Sequence, residues 1–274
     1  MTNVRITKRG RRFTTADLEA VPLSLAIESW RHTRLAHGFA ATTPRLMAAG
    51  SSNAKLNKND VPTFGLSLAP HRTAGVGNLC HYSTHDCRMV CLFSAGRGRF
   101  AMVQRGRIVR TVFLAHEPLL FHAMLRAEIL AALKSFGRRQ VAFRLNVVSD
   151  IDWHSHPWLA DLSPRARFYA YTKDPARLEA GTREDLTFSI SERQTTPADV
   201  VAIANDGHRV AMVADWPRPL PTSWHGAQLI DGEKSDARFQ DARGAVVILS
   251  PKGKAKNLTP RGDGFVKPAE WVNA

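Results

Sequence analysis

Short apolar runs alternate with helical segments along most of the chain, and this alternation limits the possible folds more than any other feature. The clearest helix is predicted over residues 117–136, where apolar residues recur at helical spacing before a terminating glycine. Runs with strand character cover residues 63–69, 141–148, 167–173, 186–190, 200–204, 209–213 and 245–249. Because strands separated by helices form βαβ units, the sequence predicts an α/β fold, either a largely parallel sheet or a partial (β/α) barrel.

The length and composition are those of a globular chain with a sizeable core. Of its 274 residues, 44% are hydrophobic, and no apolar run approaches the roughly 20 residues that a membrane span needs. Two regions are predicted: a basic arm with helices over residues 1–57, and an α/β metal-binding domain with a C-terminal flap over residues 58–274. The basic N-terminus lacks an apolar signal-peptide core, so a cytoplasmic location and no membrane partner are expected.

The positive charge of the chain points to a polyanionic partner. The formal net charge is +14, and a field of this size attracts nucleic acid, although a basic surface also serves solubility. Five arginines are predicted to contact phosphates: Arg9, Arg11 and Arg12 in the N-terminal arm, and Arg97 and Arg99 further along the chain. A solvated tail and a solvated helix face are the alternatives for these two groups.

All three cysteines of the chain lie in one short window, at Cys80, Cys87 and Cys91, after the first predicted strand. An odd set of thiols in one stretch of a cytoplasmic protein favours metal binding over disulfides. Thiolates select iron–sulfur clusters, zinc or copper(I), and we predict that these cysteines bind a [4Fe–4S] cluster. The alternatives are zinc, bound together with His71, His81 or His85, and three buried thiols without a metal.

A second group of polar residues follows two of the predicted strands. Asn146, Ser149 and Asp150 come at the end of one strand, and Tyr171 and Lys173 lie along the next. In a parallel sheet these side chains would gather at the same edge as the cysteines, so we predict that they contact a cofactor or substrate. The alternative is that Ser149 and Asp150 cap the following helix.

These landmarks resemble a family of phage-encoded proteins with the gene-product-eighty-eight domain. The resemblance covers residues from about 58 to 255. It rests on the 63–69 strand, on the cysteine loop after it (residues 80–99), and on the segments 144–150 and 168–173. It implies a cysteine loop similar to that of radical S-adenosylmethionine enzymes and a partial (β/α) barrel with a cluster at its mouth. The spacing here, Cys-x6-Cys-x3-Cys, is wider than the Cys-x3-Cys-x2-Cys of those enzymes.

Two functions of different classes are therefore expected. The first is an iron–sulfur protein of radical S-adenosylmethionine-like architecture, a phage enzyme that acts on nucleic acid with S-adenosylmethionine as a second cofactor. The second is a non-catalytic module that a metal stabilises and that binds DNA or RNA through its basic surface. Iron content and cleavage of S-adenosylmethionine distinguish the two.

Overall fold

The computed structural model describes residues 11–40, 42, 45–50 and 61–273. Within these ranges, the helices are α1 (Thr15–Glu19), α2 (Leu23–Ala36), α3 (His85–Met89), α4 (Ala101–His116), α5 (Pro118–Ser135), α6 (Pro175–Glu179) and α7 (Pro197–Asn205). The strands are β1 (Met47–Ala49), β2 (Thr63–Leu66), β3 (Val141–Arg144), β4 (Ala166–Thr172), β5 (Glu184–Ser189), β6 (Arg209–Ala214), β7 (Ser223–Trp224), β8 (Ala227–Asp231), β9 (Val246–Leu249) and β10 (Val266–Lys267). Short 3₁₀ turns connect several of these elements.

The strands form one sheet in the order β1-β2-β3-β4-β5-β6-β9-β8-β7, and β10 pairs with β6 outside this order. The pairs from β2 to β8 are all parallel, and only the end strands β1 and β7 run antiparallel to their neighbours. The predicted α/β fold with a largely parallel sheet is therefore confirmed. The sheet is open and does not close into a barrel.

The strand order follows the chain order from β2 to β6 without a reversal. Crossovers between parallel strands are right-handed, so an uninterrupted order of this kind places the connecting helices on one face of the sheet. A large apolar cluster on that face joins Phe143 of β3 and Phe168 of β4 to Phe113 of α4 and Phe121 of α5. Every strand of this run ends at the same edge, where open α/β sheets bind their ligands.

The opposite face of the sheet has a smaller cover. Ala142 of β3 and Tyr169 of β4 point to this face and pack against Ala237 and Phe239. The alternation of side chains along β3 and β4 thus separates the helical core from a second layer, to which the 3₁₀ turn Arg238–Gln240 contributes.

The N-terminal helices belong to the same core as the sheet. Leu18 of α1 and Trp30 of α2 are buried in the cluster that contains Phe143 and Phe168. The boundary predicted between residues 57 and 58 lies outside the described residues.

Helices α4 and α5 form the largest helical unit next to the sheet. The helix predicted over residues 117–136 is confirmed as α5, which begins with Pro118 at its first turn. In the described ranges, no single helix is long and apolar enough to span a membrane. Together α4 and α5 reach that length and composition, but the pair is bent by 118° at its junction.

One predicted strand is wrong, because residues 200–204 lie in the helix α7. Thr196 caps this helix: its side chain accepts a hydrogen bond from the Asp199 N–H, and the Asp199 carboxylate accepts one from the Thr196 N–H. Pro197 occupies the first helical position, which suits its fixed backbone angle. These start signals outweigh the β-branched character of the short apolar run.

Candidate metal centre

The cysteine loop lies at the carboxyl edge of the parallel sheet. Strand β2 ends at Leu66, and the chain returns to the sheet at Cys80, which pairs with Asp150 as an isolated parallel bridge. The Asp150 N–H donates a hydrogen bond to the Leu79 carbonyl at 2.8 Å. The first cysteine is thereby fixed beside the loop that follows β3.

The three cysteines are free thiols, and each is partly buried. The Cys80 sulfur accepts a hydrogen bond from the His71 backbone N–H at 3.3 Å and lies 3.9 Å from the Val148 carbonyl oxygen. Burial raises the pKa of all three thiols, that of Cys80 to about 12. The charges of Asp150, Cys91 and Cys87 raise the pKa of Cys80 further.

The donor set fits a thiophilic metal or cluster. The loop offers three soft sulfur ligands, none of them in a disulfide, and burial raises the pKa of each thiol. Among the described residues, no three His, Cys, Asp or Glu side chains are arranged to hold a single metal ion. A four-iron cluster binds each thiolate to a different iron, so its ligands need not converge on one point.

Two cations face the thiols from neighbouring elements. Lys173, directly after β4, acts electrostatically on Cys87, and Arg107 of α4 acts on Cys91. The Lys173 ammonium is buried and donates hydrogen bonds to the Ser189 carbonyl and hydroxyl and to the Ile190 carbonyl, at 2.9, 2.9 and 3.0 Å. Burial lowers the pKa of Lys173, whereas the Cys87 charge opposes this shift. Positive charge placed there favours the thiolate form that binds metals.

Glu192, in the loop after β5, holds the helix that carries Cys87. One carboxylate oxygen accepts a hydrogen bond from the Asp86 N–H at 2.7 Å, and the other accepts one from the Thr84 hydroxyl. Thr84 is the N-cap residue of α3 but makes no side-chain cap of its own. Glu192 therefore caps α3 from another part of the chain. Sequence reasoning missed this residue, and the only available signal was its position directly after a predicted strand.

The loop that carries Glu192 is itself held by a buried lysine from β10. The Lys267 ammonium donates hydrogen bonds to the carbonyls of Ser191, Gln194 and Gly262, and its side chain is fully buried. Three carbonyl oxygens satisfy its three donors, which is what a buried ammonium requires. A continuous set of contacts therefore links Lys267 through Glu192 to α3, the helix that carries Cys87.

Asn146 organises the turn after β3. It is 1% exposed; its amide donates to the Ile151 carbonyl at 2.8 Å. Its carbonyl oxygen accepts hydrogen bonds from the Ser149 hydroxyl, the Ile151 N–H and the Trp153 indole, at 3.0, 3.1 and 3.2 Å. The structure thus gives Asn146 and Ser149 partners within the protein, and their contact with a cofactor or substrate stays a prediction.

Asp150 ties the same turn to β4 and α6. Its carboxylate accepts hydrogen bonds from the Lys173 N–H at 2.9 Å and the Thr172 hydroxyl at 3.2 Å, and it forms an ion pair with Arg177. Arg177 also pairs with Glu184 at 2.6 Å. Burial raises the pKa of Glu184 to about 7, although the Arg177 charge lowers it. Asp150 does not cap a helix here, and it balances a buried guanidinium.

Tyr171 lies on β4 and packs against Arg144. The Arg144 guanidinium stands 4.8 Å from the centre of the Tyr171 ring and pairs with Asp236. Burial raises the pKa of Tyr171 above its usual range, and the Asp236 charge adds to that shift.

The arginines predicted to bind nucleic acid fall in two separate places. Arg9 lies outside the described residues. Arg11 forms an exposed ion pair with Asp17 at 3.4 Å, and Arg12 is exposed beside it. Arg97 and Arg99 are exposed on the 3₁₀ turn that ends the cysteine loop. Within the described ranges, no contact joins the two groups, but Arg97 and Arg99 lie beside the candidate centre.

Comparison with known proteins gives one result. The chain matches the family model of gene product 88 over residues 42–263, a wider range than the 58–255 that the sequence landmarks cover. No curated protein and no solved structure shows significant similarity to it. The matched range contains the three cysteines, the turn after β3 and the strand β4. The chain therefore belongs to the gene product 88 family.

Proposed function

We propose that this protein is an iron–sulfur protein whose three cysteines, Cys80, Cys87 and Cys91, bind a [4Fe–4S] cluster in a loop similar to that of radical S-adenosylmethionine enzymes. The observation that carries the proposal is that Cys80 lies at the carboxyl edge of the parallel sheet and that Cys87 and Cys91 follow it within the same loop. Open α/β sheets bind their ligands at this edge. The family match supports a phage protein, and the proposal assigns it to the host cytoplasm.

The residues around the thiols would have different roles in holding such a cluster. The three cysteines are its ligands, and Lys173 and Arg107 offset the negative charge that deprotonated thiols bring into a half-buried site. Glu192 fixes α3 and therefore the position of Cys87. When bound, a cluster with three protein ligands supplies one-electron chemistry and leaves one iron with an exchangeable ligand position. S-adenosylmethionine is the ligand that the proposal assigns to that position.

A second candidate is a metal-stabilised module that binds DNA or RNA without catalysis. One observation favours it: Asn146, Ser149, Asp150 and Lys173 all have hydrogen-bond partners inside the protein. Side chains engaged in this way stabilise a loop and are less available to a substrate. In this reading the metal, with zinc as the alternative to iron, orders the cysteine loop and the basic surface binds the polyanion.

Anaerobic purification followed by metal analysis tests the first proposal. We expect about four irons per chain and the brown colour of an iron–sulfur protein. Cys80→Ser, Cys87→Ser and Cys91→Ser should each lower the iron content, whereas Met89→Ala, an exposed residue of the same loop, should not. A folded protein that stays free of iron after reconstitution would overturn the proposal, and one equivalent of zinc would favour the module.

A second measurement separates the enzyme from the module. With dithionite as the electron donor, S-adenosylmethionine takes up one electron and one hydrogen atom and gives methionine and 5′-deoxyadenosine. Formation of 5′-deoxyadenosine by the iron-loaded protein, and its loss in Cys87→Ser, would support the enzyme. An iron-loaded protein that leaves S-adenosylmethionine intact would support the module.

A further inference from the structure

An unusual surface surrounds the cysteine loop. From residue 87 to residue 116 the chain has six arginines and no Asp or Glu, and residues 250–262 likewise contain cations and no acid. These two stretches are far apart in the sequence. Within each stretch the charge is of one sign, although Lys252 pairs with Glu233 and Arg261 pairs with Asp263, at 2.8 and 3.3 Å.

The fold brings the two acid-free stretches together. The turn Gly253–Asn257 packs on the cysteine loop: a Cβ atom at Gly253 would lie 2.9 Å from the Cβ of Ala95. Ala255 is buried in a cluster with Val90, which lies between Cys87 and Cys91. The turn that carries the exposed residues Lys254 and Lys256 therefore lies next to the segment that carries Arg97 and Arg99.

Apolar side chains are exposed among these cations. Phe100 is 53% exposed and Met102 is 62% exposed, and both lie at the start of α4, directly after Arg99. The Arg99 guanidinium lies over the Phe100 ring, 5.5 Å from its centre. Within the described part of the chain, the Arg97 guanidinium has no hydrogen-bond or ion-pair partner in the protein. We name this surface the basic collar; it consists of Arg97, Arg99, Phe100, Met102, Lys254 and Lys256.

We infer that the basic collar binds single-stranded nucleic acid and holds an unstacked base beside the cysteine loop. The uniform positive charge matches a phosphate backbone, and exposed apolar side chains among the cations match bases that are free to stack. In a duplex the faces of the bases are covered by their neighbours, so Phe100 and Met102 would find no apolar partner. An acidic protein partner would explain the charge, but protein interfaces usually carry both signs at their rim.

This inference deepens the proposed function, because it names the substrate class of the site that the cysteine loop would form. The inference about the collar and the proposed iron–sulfur function can be refuted independently of each other. Iron content reports on the cluster, and binding of a labelled strand reports on the collar. A protein that holds iron but binds no strand would refute only the inference, and one that binds a strand without iron would refute only the proposed function.

The test uses the full chain as purified anaerobically, with its iron content measured for every variant. Fluorescence anisotropy is recorded with labelled single strands of roughly 16 nucleotides, as DNA and as RNA, and with the duplex of the same sequence. We expect the single strand to bind at least about tenfold more tightly than the duplex. The binding constant should fall with salt, with a logarithmic slope of about −3 if four cations of the collar contact phosphates.

Two variants separate charge from stacking. The double variant Arg97→Ala/Arg99→Ala should make the salt slope shallower by about 1.4, because each lost phosphate contact on a single strand removes about 0.7. Phe100→Ala should weaken binding by roughly tenfold at an unchanged slope, and Phe100→Trp should restore it. Arg138→Ala, an exposed arginine just before β3 at the other edge of the sheet, is the matched control and should bind as the parent does.

Three outcomes would overturn the inference. The first is a duplex that binds as tightly as the single strand. The second is a strand whose affinity is unchanged in both the arginine and the phenylalanine variants. The third is no binding of either nucleic acid at low salt, which would assign the collar to an acidic protein.

Discussion

Cys80 and Asp150 lie opposite each other as an isolated parallel bridge, so the first cysteine extends the sheet by one residue pair beyond β3. The Asp150 backbone holds the cysteine loop, and its side chain holds Arg177. One residue thus connects the candidate centre to the buried charges of α6 and β5.

Replacing Asp150 should lower the free energy of unfolding substantially. In Asp150→Asn the Arg177 guanidinium, 7% exposed, loses one of its two carboxylate partners, and breaking a buried pair from one side lowers the free energy of unfolding by about 3 kcal/mol. Asp263→Asn breaks the exposed pair with Arg261 and should cost less than about 1 kcal/mol. Urea unfolding measures both, and equal losses would show that Asp150 does not balance a buried charge.

Removing the Glu192 carboxylate should destabilise α3, the helix that carries Cys87. Glu192→Ala leaves the Asp86 N–H and the Thr84 hydroxyl without their acceptor, a loss comparable to that of an N-cap, about 1 kcal/mol. Fraying of α3 should then speed alkylation of Cys87 about fivefold in metal-free, reduced protein, as measured by mass spectrometry. Glu179→Ala, at an exposed position of α6, is the control. If the two variants react at the same rate, Glu192 does not hold the helix.

Two neighbouring histidines should make the fold sensitive to mild acid. The rings of His122 and His156 are 4.1 Å apart; the His122 Nδ1 accepts a hydrogen bond from the Trp158 indole, and the His156 Nδ1 accepts one from the Phe13 N–H. Burial lowers both pKa values, that of His156 to about 4. Between pH 6.5 and pH 4 the unfolded chain therefore binds more protons than the folded chain, and stability falls as the pH falls.

The variant His156→Asn tests this sensitivity, since an amide oxygen can still accept the Phe13 N–H but does not titrate. Its urea midpoint should fall less between pH 6.5 and pH 4 than that of the parent. His116→Asn, at an exposed position, should keep the parental slope. A parental slope in His156→Asn would refute the assignment.

Two glycines in the same region should respond to alanine in opposite directions. A Cβ at Gly98 would lie 2.5 Å from the Phe93 carbonyl oxygen. Gly98→Ala therefore pushes this turn away from Phe93 and should lower the melting temperature. At Gly106, inside α4, the nearest atom would be 3.7 Å away. Gly106→Ala should stabilise the helix by about 0.5–1 kcal/mol. Differential scanning calorimetry of the pair gives the answer, and a stabilised Gly98→Ala would contradict the close packing.

The sequence allowed the fold to be predicted where periodicity was strong. The apolar spacing of α5 and the strand character of β3 and β4 are visible without a structure. The run at 200–204 shows the limit, because its β-branched residues indicate a strand while the Thr196–Asp199 capping box and Pro197 indicate a helix. Nucleation by the cap outweighs the strand propensity of a few residues.

The sequence shows the candidate ligands but not the residues that hold them in place. Thiols in one window can be recognised from residue type and spacing alone. The roles of Glu192 and Lys267 depend on contacts between segments separated by more than seventy residues, and no local pattern announces them. For the same reason Asn146 was predicted from its place after a strand, whereas its four hydrogen bonds within one turn could not be foreseen.

The parts that fix the cysteine loop come late in the chain. Ala255 packs beside Val90, and Lys267 holds the loop from which Glu192 reaches α3. Because the ribosome delivers residues in order, the cysteines leave the exit tunnel well before these supports exist. The thiols of the nascent chain are thus unprotected during synthesis, and a metal centre there would be installed after translation.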